Sequence, residues 1–392
     1  MFPEEIMIEI LIRLPTKCIG RFRLVSKPWR HLLSGLPFIK AHLQQTKKLM
    51  DDNALLMLVY RHCNTLYSAT LFHHLDYENI ALVRELIFDV TPYFWPEGMP
   101  SCDGLILINP ANYGRMLINP TTKETRELCE SPYALDSFCS FTMYGLGYDH
   151  VSDDYKVVTI SYYRHDHDEY CRHTSDEMFV NIYSVRNGTW KEDEGSAYNL
   201  YDGYVTTGVF VGGYIHWIVS RNSDNSTTMI GFNLAQEKFE EVAVPSSVDG
   251  DRFVFDRLVL LGGCLSMFHY RSENQTDIWV MKKYGVKQSW TKISIVDHWW
   301  SRFVPLLYMP EKREMMMVTT SNENLAIYNL DTATYGGSSL YGVIDGFLMH
   351  GKLSDFHIVG SFVETLVSPY YNCTRLAIGK CYRTRPSNFW NL

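Results

Sequence analysis

The sequence contains no Cys-x-x-Cys pair; its nine cysteines stand at 18, 63, 102, 129, 139, 171, 264, 373 and 381. That odd, scattered set excludes a zinc knuckle and a thioredoxin-type motif, both of which need close pairs. The opening Met1-Phe2-Pro3-Glu4-Glu5 has no basic stretch leading into an apolar run, so no secretory signal is expected. No unbroken apolar stretch reaches membrane-spanning length, so no membrane partner is expected. Without a secretory route the sequons at Asn187, Asn225, Asn274 and Asn372 are expected to stay idle, and the cytoplasm, the nucleus or both are the expected location. GxSxG, HExxH, GxxxxGK[ST] and EF-hand patterns are also missing, which removes the commonest hydrolase, phosphate-binding and calcium signatures.

What is present describes a folded protein. Hydrophobic residues make up 46% of the 392 and charged residues 20%, and the length exceeds one ordinary core. Aromatics reach 14%, with 26 tyrosines and 9 tryptophans, which favours strands because flat rings pack well on pleated surfaces. The net charge is −8, but the first fifty residues hold nine Lys and Arg against three acids, leaving −14 for the rest. An acidic body argues against a nucleic-acid partner, which needs a basic patch, and suits a basic protein target.

The first fifty residues read as short helices. Pro3 followed by Glu4 and Glu5 is a helix start, and Ile6, Ile10 and Leu14 recur at four-residue spacing with Leu11 beside them. Pro15 stops that helix. Thr16 is expected to cap a second, carrying Ile19, Phe22 and Val25. A third begins near Ser26 with Pro28 in its first turn, and Pro37 opens a short one through Phe38, Ile39 and Leu43. Forty residues seldom enclose a core of their own, so this apolar surface belongs to a partner or caps the domain that follows.

From about residue 53 the pattern changes to short Val-, Ile-, Tyr- and Phe-rich runs such as 54–60, 104–108, 155–160, 179–185, 229–234, 277–281 and 325–330. Several lead into a polar turn that returns on an aromatic residue: Trp190, Phe239, Trp290 and Tyr335, spaced by 49, 51 and 45. Paired glycines recur at Gly212-Gly213 and Gly262-Gly263, 50 apart. The turn Asn119-Pro120-Thr121-Thr122-Lys123 fits the series with an insertion after it. A period near fifty residues indicates four-stranded propeller blades. Five such units and one near residues 54–72 predict six blades; the alternative is a β-sandwich whose hairpins fall at similar intervals.

Residue identities narrow this further. Residues 2–17, from Phe2-Pro3-Glu4-Glu5-Ile6 to Leu14-Pro15-Thr16-Lys17, resemble the opening of an F-box, and Arg21-Phe22-Arg23-Leu24-Val25-Ser26-Lys27-Pro28-Trp29-Arg30 resembles its second half. The family usually opens on Leu-Pro where this chain has Phe2-Pro3, and often has Val at the position of Thr16. Tyr144-Gly145-Leu146-Gly147-Tyr148-Asp149 with Asp153–Val158, the run Asp277–Gly285 through Trp290, and Val363–Pro369 resemble signatures of the plant F-box-associated domain. The chain thus resembles plant F-box/kelch-repeat proteins, the group that includes S-locus F-box proteins. That resemblance implies a mainly β fold with a small α segment: a three-helix F-box at 1–45, an F-box-associated kelch-like β-propeller at 46–370 and a tail at 371–392. It also implies a non-catalytic subunit of an SCF-type ubiquitin ligase, docking on the Skp adaptor and through it on cullin, while the propeller holds a protein substrate. Pro3, Ile6, Ile10, Leu14, Pro15, Leu24, Val25 and Trp29 are the adaptor-contact candidates.

Other clusters carry less. His165, His167, Cys171 and His173 have metal-capable side chains, but their spacing matches no structural zinc pattern, so a recognition loop over 161–177 is expected rather than a metal site. Trp299 and Trp300, after Asp297-His298, are candidate target contacts or blade packing. His165, His167, Trp299 and Trp300 are therefore the substrate-binding candidates. Gly145 and Gly147 lack the third glycine of a nucleotide fingerprint, and His216 on its strand reads as a core histidine. No cofactor and no metal are expected. The alternatives to a ligase subunit are a binding scaffold without ubiquitin transfer and a propeller enzyme.

Overall fold

The computed structural model describes residues 3–48, 54–60, 65–72, 80–86, 99–108, 115–133, 140–163, 178–193, 198–200, 207–221, 223, 226–245, 257–272, 275–296, 303–309, 313–319, 325–332, 334–337, 341–344, 347–349 and 356–373. It opens with four helices. Helix α1 (Glu4–Leu11) follows Pro3 and places Glu4 and Glu5 in its first turn, where acids offset the positive end of the helix dipole. Helix α2 (Thr16–Phe22) follows Pro15, and α3 (Lys27–Ser34) is capped by Ser26, whose hydroxyl accepts the Trp29 N–H at 3.3 Å. Helix α4 (Leu36–Lys48) is the longest, at 13 residues.

Two expectations change here. The segment holds the four helices its local pattern indicates, one more than the three-helix F-box implied by the resemblance. Thr16 is not a cap: Pro15 occupies that position, and the Thr16 hydroxyl donates instead to the Glu364 carbonyl at 3.0 Å.

The remainder is β-structure. Strands β1 (Ala54–Tyr60), β2 (Thr65–Phe72) and β3 (Ile80–Leu86) form an antiparallel meander. Then come β4 (Ser101–Cys102), β5 (Leu105–Ile108), β6 (Met116–Asn119) and β7 (Glu124–Glu127), followed by β8 (Ser140–Asp149), β9 (Asp154–Tyr163), β10 (Phe179–Ser184) and β11 (Thr189–Asp193). The next sheet holds β12 (Tyr198–Leu200), β13 (Val209–Val211), β14 (Tyr214–Arg221), β15 (Thr227–Asn233) and β16 (Lys238–Glu241). Strands β17 (Arg257–Leu261), β18 (Cys264–Ser272), β19 (Gln275–Met281) and β20 (Trp290–Val296) precede β21 (Phe303–Met309), β22 (Glu314–Thr319), β23 (Leu325–Asn329) and β24 (Thr334–Gly337). The last are β25 (Tyr341–Ile344), β26 (Phe347–Met349) and β27 (Phe356–Val363).

These strands make a propeller arrangement closed by its ends. Strand β27 pairs antiparallel with β1, from Ala54 opposite Val363 to Tyr60 opposite Phe356. The innermost strands then neighbour one another in a circuit: β27, β4, β8, β13, β17, β21 and back to β27. Four sheets are regular four-stranded blades, which corrects the expectation of six blades. In the sheet of β12–β16 the inner strand is divided, so that β12 and β13 both pair with β14. In the remaining sheet β25 and β26 extend the outer edge through a parallel pairing of β25 with β3, giving six strands.

The repeats seen in the sequence are turn chemistry. Gly212-Gly213 and Gly262-Gly263 join inner strand to second strand, each with positive φ at both residues, as a two-residue type I′ hairpin requires. At the other turn of each blade, Lys123, Gly188, Glu237 and Gly285 also have positive φ. Asn119, Asn233 and Asn329 head three such turns, each accepting two backbone N–H groups with its side-chain oxygen. Aromatics returning from these turns staple blades together. The indole N–H of Trp190 donates to the Cys129 carbonyl at 2.6 Å, and that of Trp290 to the Ala243 carbonyl at 2.9 Å. Phe239 instead packs on Phe232 of its own blade, with ring centres 4.8 Å apart.

Apolar side chains fill the spaces between blades. Met143, Ile160 and Val180 meet Ile215, Trp217 and Phe232; Met229 and Ile218 meet Leu258, Met267 and Trp290. Each such large side chain contributes roughly 1.5–3 kcal/mol on burial.

Candidate adaptor-docking face and target-binding rim

The helical segment has two chemically different sides. Leu11, Ile19, Leu33, Phe38 and Ile39 are buried in one hydrophobic cluster with propeller residues including Cys102, Leu105, Leu117, Tyr155, Leu366 and Val367. Four large apolar side chains remain outside it: Ile6 is 47% exposed, Ile10 54%, Leu24 75% and Val25 66%. Ile6 and Ile10, four residues apart, share one face of α1. Pro3 and Pro15 are exposed as well. Leu14 and Trp29 differ: both are half-buried against the common cluster, Trp29 meets Phe22 edge-on at 5.5 Å, and the Leu14 carbonyl lies 2.9 Å from His42 Nε2. Of the eight adaptor-contact candidates, six are therefore solvent-facing and two largely serve the packing.

The inward side is fixed by ion pairs, because its basic helices meet the acidic body. Lys47 reaches the buried Asp103 at 2.7 Å, Lys40 reaches Asp153 at 2.9 Å, and Lys17 reaches Glu364 at 2.8 Å. Burial works against the Lys47 charge, but the Asp103 carboxylate leaves its ammonium above the ordinary value. Asp103 also accepts the Tyr155 hydroxyl at 3.0 Å, and its carbonyl accepts the Thr365 hydroxyl at 2.6 Å. Asp153 gathers Lys40, the Tyr148 hydroxyl at 2.5 Å, the Tyr371 hydroxyl at 3.0 Å and the Asn372 amide at 3.0 Å. Burial would raise the Asp153 carboxyl, yet these donors hold it below its usual range, and burial together with Asp153 pushes Tyr148 up to about 12.

Residues 364–373 are central to this joint. They follow the closing strand and run under the helices, and Tyr371 stacks edge-on against Tyr155 and Tyr148. Arg126, 1% exposed, donates to the carbonyls of Val185 and Pro369. Sequence reasoning singled out neither Arg126 nor the role of Asp103. The signal for Asp103 was available, since Asp103-Gly104 is an Asp-Gly hairpin pair with φ of 53° and 81°, in the same place as the glycine pairs.

Topology then assigns the two rims. Strands alternate in direction, so the 103–104, 212–213 and 262–263 turns and the Asn-headed turns all lie at one rim. Asp103, Asp153 and Glu364 place the helices at that rim too. The strand ends Tyr163, Phe179, Val296 and Phe303 point to the other rim. The substrate-binding candidates His165, His167, Trp299 and Trp300, which lie between those ends, are outside the described residues, as are Cys171 and His173. Among the described residues no group of His, Cys, Asp and Glu is arranged to hold a metal ion. No described helix is long and apolar enough to cross a membrane. His216 is fully buried, with Nδ1 2.9 Å from the Val209 carbonyl and Nε2 2.8 Å from the Tyr284 hydroxyl, and burial pushes it down to about 4. Gly145 and Gly147 sit within β8, where a side chain would strike Ile215 and Trp217 or Phe210 and Leu234.

Comparison with known proteins agrees with this two-part organisation. Residues 1–41 match the F-box domain, and residues 56–368 match the F-box associated beta propeller domain. The chain belongs to the F-box proteins that carry an F-box associated β-propeller. Among its relatives, the F-box protein CPR1 of Arabidopsis thaliana is 30% identical over 353 residues, covering 84% of this chain and 82% of that one. An F-box/kelch-repeat protein of the same plant is 28% identical over 386 residues, covering 94% and 95%. Arabidopsis F-box/WD-40 repeat-containing protein 1 is 28% identical over 303 residues, covering 75% and 68%.

Proposed function

We propose that this protein is the substrate-recognition subunit of an SCF-type ubiquitin ligase, acting in the cytoplasm or nucleus. The observation that carries the reading is the exposure of Ile6, Ile10, Leu24 and Val25 on a helical segment whose other side is packed and ion-paired. Burying one large apolar side chain is worth roughly 1.5–3 kcal/mol, so these four, flanked by Pro3 and Pro15, are enough for a stable contact with the Skp adaptor and, through it, cullin. Leu14 and Trp29 support that surface from behind.

The chain performs no bond chemistry and needs no cofactor in this reading. Its contribution is effective concentration: a target held on the propeller presents its lysines to a conjugating enzyme held on the cullin. The sheets act as kelch-like blades of one ring, an assignment supported by the circuit of inner strands and by the glycine-pair hairpins. The target is received at the rim opposite the helices, with 161–177 and Trp299-Trp300 as its first contacts. A body carrying net negative charge favours a basic target protein.

Tagged full-length chain purified from cells should retain Skp and cullin. Ile10→Asp and Leu24→Asp should each lose them while melting at the wild-type temperature, because both side chains are already in water. Undiminished co-purification of the double variant would overturn the reading. These positions are better probes than Leu14→Asp, which disturbs the packed side.

A further inference from the structure

We propose that the seam between the blade of β4–β7 and the blade of β8–β11 carries a carboxylate-reading subsite, in which Arg115 receives one Asp or Glu side chain of a bound peptide. The inference deepens the substrate-recognition reading and rests on the propeller being the target-holding part. Arg115 stands just before β6, and its side chain crosses to the next blade. Its guanidinium carbon lies 4.8 Å from the ring centre of Tyr144 on β8 and 5.9 Å from that of Trp190 on β11. Those strands are the two edges of one sheet, so a group near both rings lies over the middle strands, β9 and β10. Beneath it, Tyr144, Thr159 and Asn181 form one cross-strand row on the same face.

Two features of this seam ask for a ligand. Arg115 makes no ion pair among the described residues; its one side-chain hydrogen bond is a long one, 3.4 Å, to the Tyr144 hydroxyl, and its Nε is buried without a partner. Asn181 is only 2% exposed, and its side-chain oxygen has no hydrogen-bond partner either. A covered amide oxygen and a covered guanidinium N–H each cost free energy unless satisfied. A peptide bearing an acidic residue supplies both: its carboxylate accepts from Arg115, and a backbone N–H donates to Asn181. One guanidinium balances one carboxylate charge, which favours Asp or Glu over a doubly charged phosphoryl group. Asn181 stands two residues beyond Phe179, where β10 begins at the proposed target-binding rim. Glu192, opposite Asn181 in register, is exposed and forms no ion pair with Arg115.

The test is direct binding to purified full-length protein, with labelled mixed-sequence peptides identical except for Glu, Gln, phosphoserine or Lys at one fixed position. Wild type should hold the Glu set about tenfold tighter than the Gln set, the usual scale of a charge-assisted hydrogen bond. Arg115→Gln should abolish that preference and Arg115→Lys should keep part of it. Asn181→Asp would place a carboxylate under Arg115, so it should abolish Glu-peptide binding while leaving the melting temperature unchanged or raised. Equal binding of the Glu and Gln sets, a preference for phosphoserine, an unchanged preference in Arg115→Gln, or a destabilised Asn181→Asp would each overturn the proposal. None of these results bears on Skp co-purification, so the subsite can fail while the ligase reading stands.

Discussion

At the scale of single residues, His216 shows what burial does to an ionisable group between blades. The Val209 carbonyl accepts its Nδ1–H, which leaves Nε2 to accept the Tyr284 hydroxyl, so the neutral ring is fully used and has no room for a second proton. Burial pushes it down to about 4, from an ordinary value of 6.5. The unfolded chain therefore takes up a proton first as pH falls. The stability this residue contributes is complete above about pH 6.5 and is lost progressively down to about pH 4. By pH 5 the loss from this residue should be about 2 kcal/mol. Urea unfolding at pH 7.5 and pH 5.0 measures it: wild type should lose more stability between the two than His216→Gln does. Equal losses in the two proteins would mean that the ring is protonated in the fold. His42, pushed down by burial and held against the Leu14 carbonyl, adds a loss of the same sign in both proteins.

At the scale of elements, the turns decide how the blades close, and equivalent glycines differ in cost. A side chain at Gly104 would sit 2.4 Å from the Thr365 hydroxyl and 2.8 Å from the Val363 carbonyl, on a backbone with φ of +81°. At Gly213, with φ of +87°, it would meet nothing within 4 Å. Gly213→Ala should cost only the left-handed backbone strain, about 1–2 kcal/mol. Gly104→Ala should cost clearly more, because the closing segment must also shift; chemical denaturation of both variants separates the two, and equal losses would contradict the close approach. Much of this level was legible in sequence. The glycine pairs, the Ser26 cap and the Pro-led helix starts all follow from local backbone chemistry. Other features stayed hidden. Asn119, Asn233 and Asn329 repeat the same turn-capping role, but Ser184 and Met281 hold the matching places in the other blades, so residue identity alone does not display the period. Thr16 looks like a cap because a hydroxyl before a helix usually is one; here a long-range carbonyl at Glu364 takes that hydroxyl.

At the scale of the whole molecule, the helices and the propeller share one buried cluster and three ion pairs. Their joint was the least legible part. It brings together Lys40, Lys47, Asp103, Asp153 and Tyr371, which are separated by up to 331 positions in sequence. The exposed apolar stripe of α1 was more legible, because four-residue spacing is a local pattern. Which of the eight candidates point outward was not readable, since Leu14 and Trp29 pack against the cluster that the helices share with the propeller. Lys40→Gln together with Tyr371→Phe removes two of the donors on Asp153. Hydrogen exchange should then quicken in α4 while the strands of the distant β17–β20 blade keep their protection. Uniform quickening across both would show that Asp153 supports the entire ring rather than the joint.

The order of synthesis gives the closing strand a temporal meaning. The helices leave the ribosome long before Glu364 and Tyr371, which form part of the surface they rest on. During that interval Lys17 lacks Glu364, and the apolar side of the helices lacks the part of the common cluster that Leu366, Val367 and Tyr371 supply. A nascent chain therefore keeps the inward side of its helices incompletely covered until that segment emerges, and a chaperone has that whole interval in which to protect it.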